Sequence, residues 1–116
     1  MDNHNKINYL EFPARNLETT KDFFSKAFGW AFQDYGPEYT SFNNAGIAGG
    51  FFQAEAHGST EKGCVLVVLY SDDLESTQER VIEAGGSLVK EIFSFPGGRR
   101  FHFVEPSGNE LAVWSE

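Results

Sequence analysis

The period of the apolar positions changes several times along the chain, and each change marks an element. Ile7 to Phe12 (INYLEF) is strand-like and stops at Pro13. Asn16 then caps a helix whose apolar residues Leu17, Phe23, Phe24, Ala27 and Phe28 recur at helical spacing, with Gly29 as its stop. Three short strands follow. Trp30 to Tyr35 turns at Gly36-Pro37, Tyr39 to Asn43 turns at Asn44-Ala45-Gly46, and Ile47 to Gln53 closes the set.

The small, polar run AEAHGSTEK, 54–62, reads as a linker, and after it the same order recurs. Cys64 to Tyr70 (CVLVVLY) is a buried strand. Asp72 or Asp73 caps a helix carrying Leu74, Val81 and Ile82, which ends at Gly85-Gly86. Ser87 to Phe93, Arg100 to Val104 and Glu110 to Trp114 are three more strands. A shift of 57 residues lays Asn16 on Asp73, Leu17 on Leu74 and Gly29 on Gly86. A shift of 62 lays Gly46 on Gly108 and Phe52 on Trp114, the five extra residues falling in the SFPGG turn. Each half is therefore β-α-β-β-β, and neither half buries its sheet and helix well alone. The expected fold is α+β: one domain, 1–116, made of two paired modules, 1–53 and 63–116, joined by the linker 54–62.

A doubled unit of this length resembles the vicinal oxygen chelate superfamily of glyoxalases, bleomycin-resistance proteins, fosfomycin-modifying enzymes and extradiol dioxygenases. The likeness covers nearly the whole chain. Its sharpest local match is Phe101-His102-Phe103-Val104-Glu105-Pro106-Ser107-Gly108, which is similar to the family's aromatic-Tyr-x-x-Asp/Glu-Pro-x-Gly turn with histidine in the tyrosine's place. PARNLETTKDFFSKAFGW, 13–30, resembles the family's helix entry. The resemblance implies that each module curls its sheet into a cup with the helix packed outside. It also implies a divalent metal held between the cups by the first and last strand of each module. Those positions here are Tyr9, Gly50, Leu66 and Ala112. Three of the four have no side-chain donor, and a tyrosine is a poor ligand at neutral pH, so the usual metal site is not expected.

Alternation along the strands then assigns the faces. Glu11, two after Tyr9, and Glu110, two before Ala112, point into the cup with Phe52, Trp114, Val68 and Tyr70; Leu10, Phe12, Leu111 and Val113 fall on the helix side. His102 stands where the family's tyrosine faces substrate, and Arg100 shares its parity, but a loop of another length would turn His102 under the helix. Each residue has a plainer alternative. His102 is otherwise a hydrogen-bonded sheet histidine, Glu11 and Glu110 solvated carboxylates, Arg99-Arg100 hairpin-tip charges, and Tyr9 and Trp114 packing residues. His4 and His57, in tail and linker, are expected in solvent.

Composition narrows the function further. The 12 phenylalanines, 4 tyrosines and 2 tryptophans exceed what such a chain usually carries, and a Phe-rich core absorbs most of them. A net charge of −8, with Arg99-Arg100 the only basic doublet, excludes a nucleic-acid or anionic-membrane partner. One cysteine, Cys64, excludes an internal disulfide and a thiolate metal cluster. With no apolar run of membrane length and no signal-like segment, a cytoplasmic protein is expected.

Three functions remain open. The first is a binding protein without the family metal, holding a small aromatic or amphipathic molecule against Tyr9, Phe52, Tyr70 and Trp114 with Glu11, Arg100, His102 and Glu110 as polar anchors. The second is an enzyme of lyase, isomerase or dioxygenase type. It would use a displaced divalent metal on Glu11, His102 and Glu110, or metal-free acid-base catalysis by His102 and Glu110. The third is a structural module that keeps only the fold. The expected partners are a small-molecule ligand and, from the resemblance, a second copy in a homodimer; no cofactor is expected unless the metal site is displaced.

Overall fold

The computed structural model describes residues 3–116 and contains ten elements. The first module comprises β1 (Tyr9–Ala14), α1 (Leu17–Phe28), β2 (Ala31–Asp34), β3 (Tyr39–Asn43) and β4 (Ala48–Gln53). The second comprises β5 (Val67–Tyr70), α2 (Leu74–Glu83), β6 (Ser87–Phe95), β7 (Gly98–Val104) and β8 (Glu110–Ser115). Each module forms a four-stranded sheet, in the orders β1-β4-β3-β2 and β5-β8-β7-β6. In both, the first strand lies parallel to the last and the other pairs are antiparallel. The shift of 57 carries the first residue of α1 onto that of α2, and the shift of 62 carries β4 onto β8 end to end. The repeat seen in the sequence is the repeat of the fold.

Local chemistry sets the helix ends. Asn16 accepts from the Thr19 N–H, and Asp73 accepts from the Ser76 N–H. Gly29 and Gly85 stop the helices at φ 75° and 111°, where a side chain would be strained.

Three boundaries depart from the sequence reading. β1 continues through Pro13 to Ala14. Among the described residues its sole strand partner is β4, so it is an edge strand, where a residue without an N–H is tolerated. β5 begins at Val67 rather than Cys64, because the linker supplies the partner for the start of β8: the Glu110 N–H donates to the Gly58 carbonyl at 2.8 Å. The SFPGG segment extends β6 and β7 and leaves a tight turn at Pro96-Gly97, with Gly97 at φ 112°.

The two helices pack against each other and share one core with the inner faces of both sheets. Phe24 stacks on Trp30 at 4.6 Å and lies 5.2 Å from Phe51. Phe23 and Phe28 of α1 each lie 5.9 Å from Phe103 of β7, so the first module's helix also packs on the second module's sheet. Leu111 and Val113 are fully buried, with Leu10 and Phe12 packed against the same cluster, as the alternation required. Ile82 is the exception: it sits on the outer side of α2, 49% exposed. No helix among the described residues is long and apolar enough to cross a membrane.

A polar clamp also joins the modules. Ser107 accepts the Arg15 N–H and is hydrogen bonded to the Thr20 hydroxyl, and Arg15 Nη2 donates to the Ser107 carbonyl. Asn109 donates to the Pro13 carbonyl and accepts from the Gly58 N–H. Within the same turn Glu105 is 2% exposed. One of its oxygens accepts the Asn109 N–H; the other has no partner. Burial, outweighing the backbone N–H groups of Asn109, Ser107 and Gly108, pushes its carboxyl up to about 7. A carboxyl raised in the folded state favours folding at low pH, and that advantage falls as pH climbs from about 4.5 to about 7. Unfolding free energy measured in urea is therefore expected to drop by about 3 kcal/mol across that window. In Glu105→Gln this part of the slope should vanish; an unchanged pH profile in the variant would refute the assignment.

Candidate functional site

The candidate site is built on the face of the second sheet opposite the helices. Pairing across β5, β8, β7 and β6 places Tyr70, Trp114, Arg100 and Phe93 in one transverse row. The next row is Val68, Ala112, His102 and Lys90. His102 therefore shares the face of Ala112 and Trp114, while Phe101 and Phe103 turn toward the helices, and the parity left open by the sequence is settled. Tyr70 and Val68 are 49% and 42% exposed, and Trp114, Arg100 and Phe93 are half-buried, so the first row is accessible.

Within this face the aromatics are in contact. Trp114 meets Tyr70 edge-on at 5.1 Å and lies 6.4 Å from Phe95. The Arg100 guanidinium carbon is 5.4 Å from the ring centres of both Phe93 and Phe95, within cation–π range. Phe93 also lies 5.9 Å from the His102 ring. β6 is irregular between Leu88 and Lys90 and again between Lys90 and Phe93, which sets the strand's side chains opposite His102.

His102 and Glu110 form a buried pair, their side chains 2% and 3% exposed, with Nδ1 2.8 Å from Oε2. The other carboxylate oxygen accepts from both the Thr60 N–H and the Thr60 hydroxyl, at 2.8 and 2.9 Å. Burial pushes the Glu110 carboxyl up, but the Thr60 N–H, His102 and the Thr60 hydroxyl outweigh it and hold it below the usual carboxylate range. An ionised Glu110 only accepts, so Nδ1 of His102 carries the proton and donates. His102 Nε2 is left buried and without a partner.

Thr60 belongs to the segment expected to be a plain linker. It instead crosses the Glu110 end of the cup. His57, expected in solvent, is half-buried with its ring against Gly108. This covering was not legible in the sequence, because a run of small and polar residues has no periodicity to betray what it packs on.

The first sheet's cup is arranged differently. Tyr9 and Phe52 lie exposed on it, at 45% and 39%. The Tyr39 hydroxyl donates to Glu11 at 2.9 Å and accepts from Tyr9. A side chain at position 50 would collide with the Tyr39 ring and hydroxyl, so Tyr39 fills the space that Gly50 leaves. Burial, then its hydrogen bonds to Tyr9 and Glu11, push the Tyr39 phenol above its ordinary value. Sequence reasoning missed Tyr39, which pairs with Phe52 and reaches Gly50 only diagonally across the β3–β4 register.

The structure does not assemble every expected residue into one site. Arg100, His102, Glu110, Trp114 and Tyr70 share the second sheet's face. Tyr9, Glu11 and Phe52 lie on the first sheet, with no hydrogen bond, ion pair or ring contact to that group among the described residues. Glu11 and Glu110 do line one cleft of about 380 Å³ between the modules, together with His57, Cys64 and Val65. A second cavity of about 590 Å³, lined by Leu10, Phe12, Trp30, Val67 and Leu69, opens on the helix side of the seam between β1 and β5.

A family model, Glyoxalase/Bleomycin resistance protein/Dioxygenase superfamily, aligns with residues 6–113 and so spans both modules. The chain belongs to this superfamily. A glyoxylase-like domain-containing protein of Didymella fabae is 28% identical over 95% of the chain and 93% of its own length. The crystal structure of a glyoxalase-related enzyme from Fulvimarina pelagi superposes with a TM-score of 0.81 at 19% identity, covering 97% of this chain and 88% of that one. A glyoxalase/bleomycin resistance protein/dioxygenase family enzyme from Burkholderia phytofirmans gives 0.78 at 16% identity, covering 93% and 96%. At these identities the two structures establish the shared fold.

The residues at the superfamily's metal positions do not fit a metal. Gly50, Leu66 and Ala112 offer no side-chain donor, and the Tyr9 hydroxyl is bonded to Tyr39. The displaced set is not assembled either. Glu11 is bonded to Tyr39, both oxygens of Glu110 are engaged by Thr60 and His102, and among the described residues no group of three or more His, Cys, Asp or Glu could hold a metal ion.

Proposed function

We propose that this superfamily member binds a small, partly aromatic molecule on the concave face of its second sheet, without a metal at the usual positions. The observation that carries this reading is the accessible row Tyr70-Trp114-Arg100-Phe93 lying beside a buried histidine whose Nε2 lacks a partner. Aromatic rings supply apolar area at low conformational cost, and a few oriented polar groups set the pose. The ring of Phe93 against His102 makes Phe93 the side chain that moves when a ligand reaches Nε2.

The two tryptophans separate this face from the seam cavity, since Trp114 reports the former and Trp30 the latter. In a screen of small aromatic compounds, binding is expected to change fluorescence in wild type and in Trp30→Phe, and to leave the signal of Trp114→Phe unmoved. A response that survives in Trp114→Phe and disappears in Trp30→Phe would assign binding to the seam and reject the reading.

One observation favours a second reading, an enzyme acting by proton transfer. Thr60, Glu110 and His102 form a hydrogen-bonded series that leaves Nε2 as the unpartnered ring nitrogen facing the cup. Turnover of a bound compound that His102→Gln abolishes at unchanged affinity would establish it, and identical turnover in the variant would reject it.

A further inference from the structure

We propose that the molecule held on this face is an aromatic carboxylate whose oxyanion pairs with Arg100; this rests on the binding reading given above. The arginines differ in where they find acceptors. Arg15 donates to the Ser107 carbonyl, Arg80 to the Ala27 carbonyl and to Ser76 and Thr77, and Arg99 to both oxygens of Glu75. The Arg100 side chain has no hydrogen bond or ion pair among the described residues, and its Nε is buried without a partner. Scarcity of acids is not the cause, because the chain has 17 acidic residues against 9 basic ones.

The surroundings hold that guanidinium ready rather than neutralise it. Phe93 and Phe95 each lie 5.4 Å from it, which restricts the side chain without satisfying its donors. Lys90, on the same face, sets a second cation 5.8 Å from the Phe93 ring centre. Of the carboxylates at this face, Glu110 is committed to Thr60 and His102, and Glu116 accepts the Tyr70 hydroxyl at 3.1 Å, at the opposite end of the row. The Arg100–Lys90 end of the face is locally cationic on a chain of net charge −8 and favours an anion, and the planar fork of a guanidinium suits a carboxylate.

The aromatic part of the ligand follows from the row. Trp114 is paired with Arg100 on the neighbouring strand, so the two side chains leave the same face from strands about 4.8 Å apart. An aryl ring lying on Trp114 between Tyr70 and Phe95 carries its carboxylate to Arg100.

The test compares 2-naphthoate with its neutral counterpart 2-naphthamide by ligand-observed NMR and calorimetry on the full chain. Naphthoate is expected to bind about ten-fold more tightly than the amide, an effect of charge-assisted pairing. In Arg100→Gln the two affinities should converge, with an unchanged urea unfolding midpoint showing the variant folded. Equal binding of both compounds to wild type would overturn the carboxylate assignment and leave the binding reading standing. A preference for naphthoate that persists in Arg100→Gln would overturn the role of Arg100. Binding of neither compound would overturn both.

Discussion

Phe23→Ala is expected to destabilise the protein by about 3–5 kcal/mol, a large share of what a domain of this size has. Phe23 is fully buried and meets Phe24 edge-on at 4.9 Å, with Phe28 at 6.3 Å and Phe103 at 5.9 Å. It also packs against Gly86 at the end of the second module's helix segment. Truncation removes the apolar area and leaves a cavity at the point where the modules meet, and neither helix can close it without giving up its own packing. Urea unfolding followed by tryptophan fluorescence and by far-UV circular dichroism measures the loss. Both probes should shift together, since one core serves both modules. Ile82→Ala, on the outer side of α2, is the control and should cost less than about 0.5 kcal/mol. A Phe23→Ala cost as small as the control's would contradict the shared core.

The second large effect is expected at Glu110. Glu110→Ala strands three donors, the Thr60 N–H, the Thr60 hydroxyl and the His102 Nδ1–H, the last of them fully buried. The expected cost is about 2–4 kcal/mol. Glu110 is held below its ordinary value of 4.5, so its contribution is present above that pH and is lost as pH falls through the lower folded value. Its pH dependence thus runs opposite to that of Glu105. Glu110→Gln separates packing from proton placement. The amide oxygen still accepts from Thr60, but its NH2 faces His102 and requires an acceptor, which moves the histidine proton from Nδ1 to Nε2. The ring nitrogen shifts of His102 should report the Nδ1–H tautomer in wild type and the Nε2–H tautomer in Glu110→Gln. The same tautomer in both would show that Glu110 does not set the proton.

Much of the fold was legible because it is written in short-range chemistry. Asn16 and Asp73 cap, Gly29 and Gly85 terminate, and the alternation Leu111/Val113 against Glu110/Ala112/Trp114 assigns inner and outer faces. These features act within one turn or one strand, so the residues alone reveal them. The missing donors at Gly50, Leu66 and Ala112 were legible for the same reason, since the side-chain inventory does not depend on packing. The strand boundaries at Pro13 and Val67 were not. An edge position tolerates proline, and the linker's Gly58 takes the hydrogen bond that would have extended β5.

By itself the sequence determined the twofold repeat, the strand and helix order, the facing of most side chains and the absence of ligands at the superfamily's metal positions. Periodicity, capping chemistry and donor count decide these, and all three are properties of neighbours along the chain. Only the tertiary structure decided that His102 faces the cup with its Nε2 unpaired, that Thr60 and His57 fold over the Glu110 end, and that Ser107 and Asn109 clamp the modules. It also decided that Tyr39 fills the space beside Gly50 and that Arg100 is left between two rings without a carboxylate. Each of these depends on side chains brought together from different elements. Which donor meets which acceptor across that distance is set by how the two sheets and the linker pack.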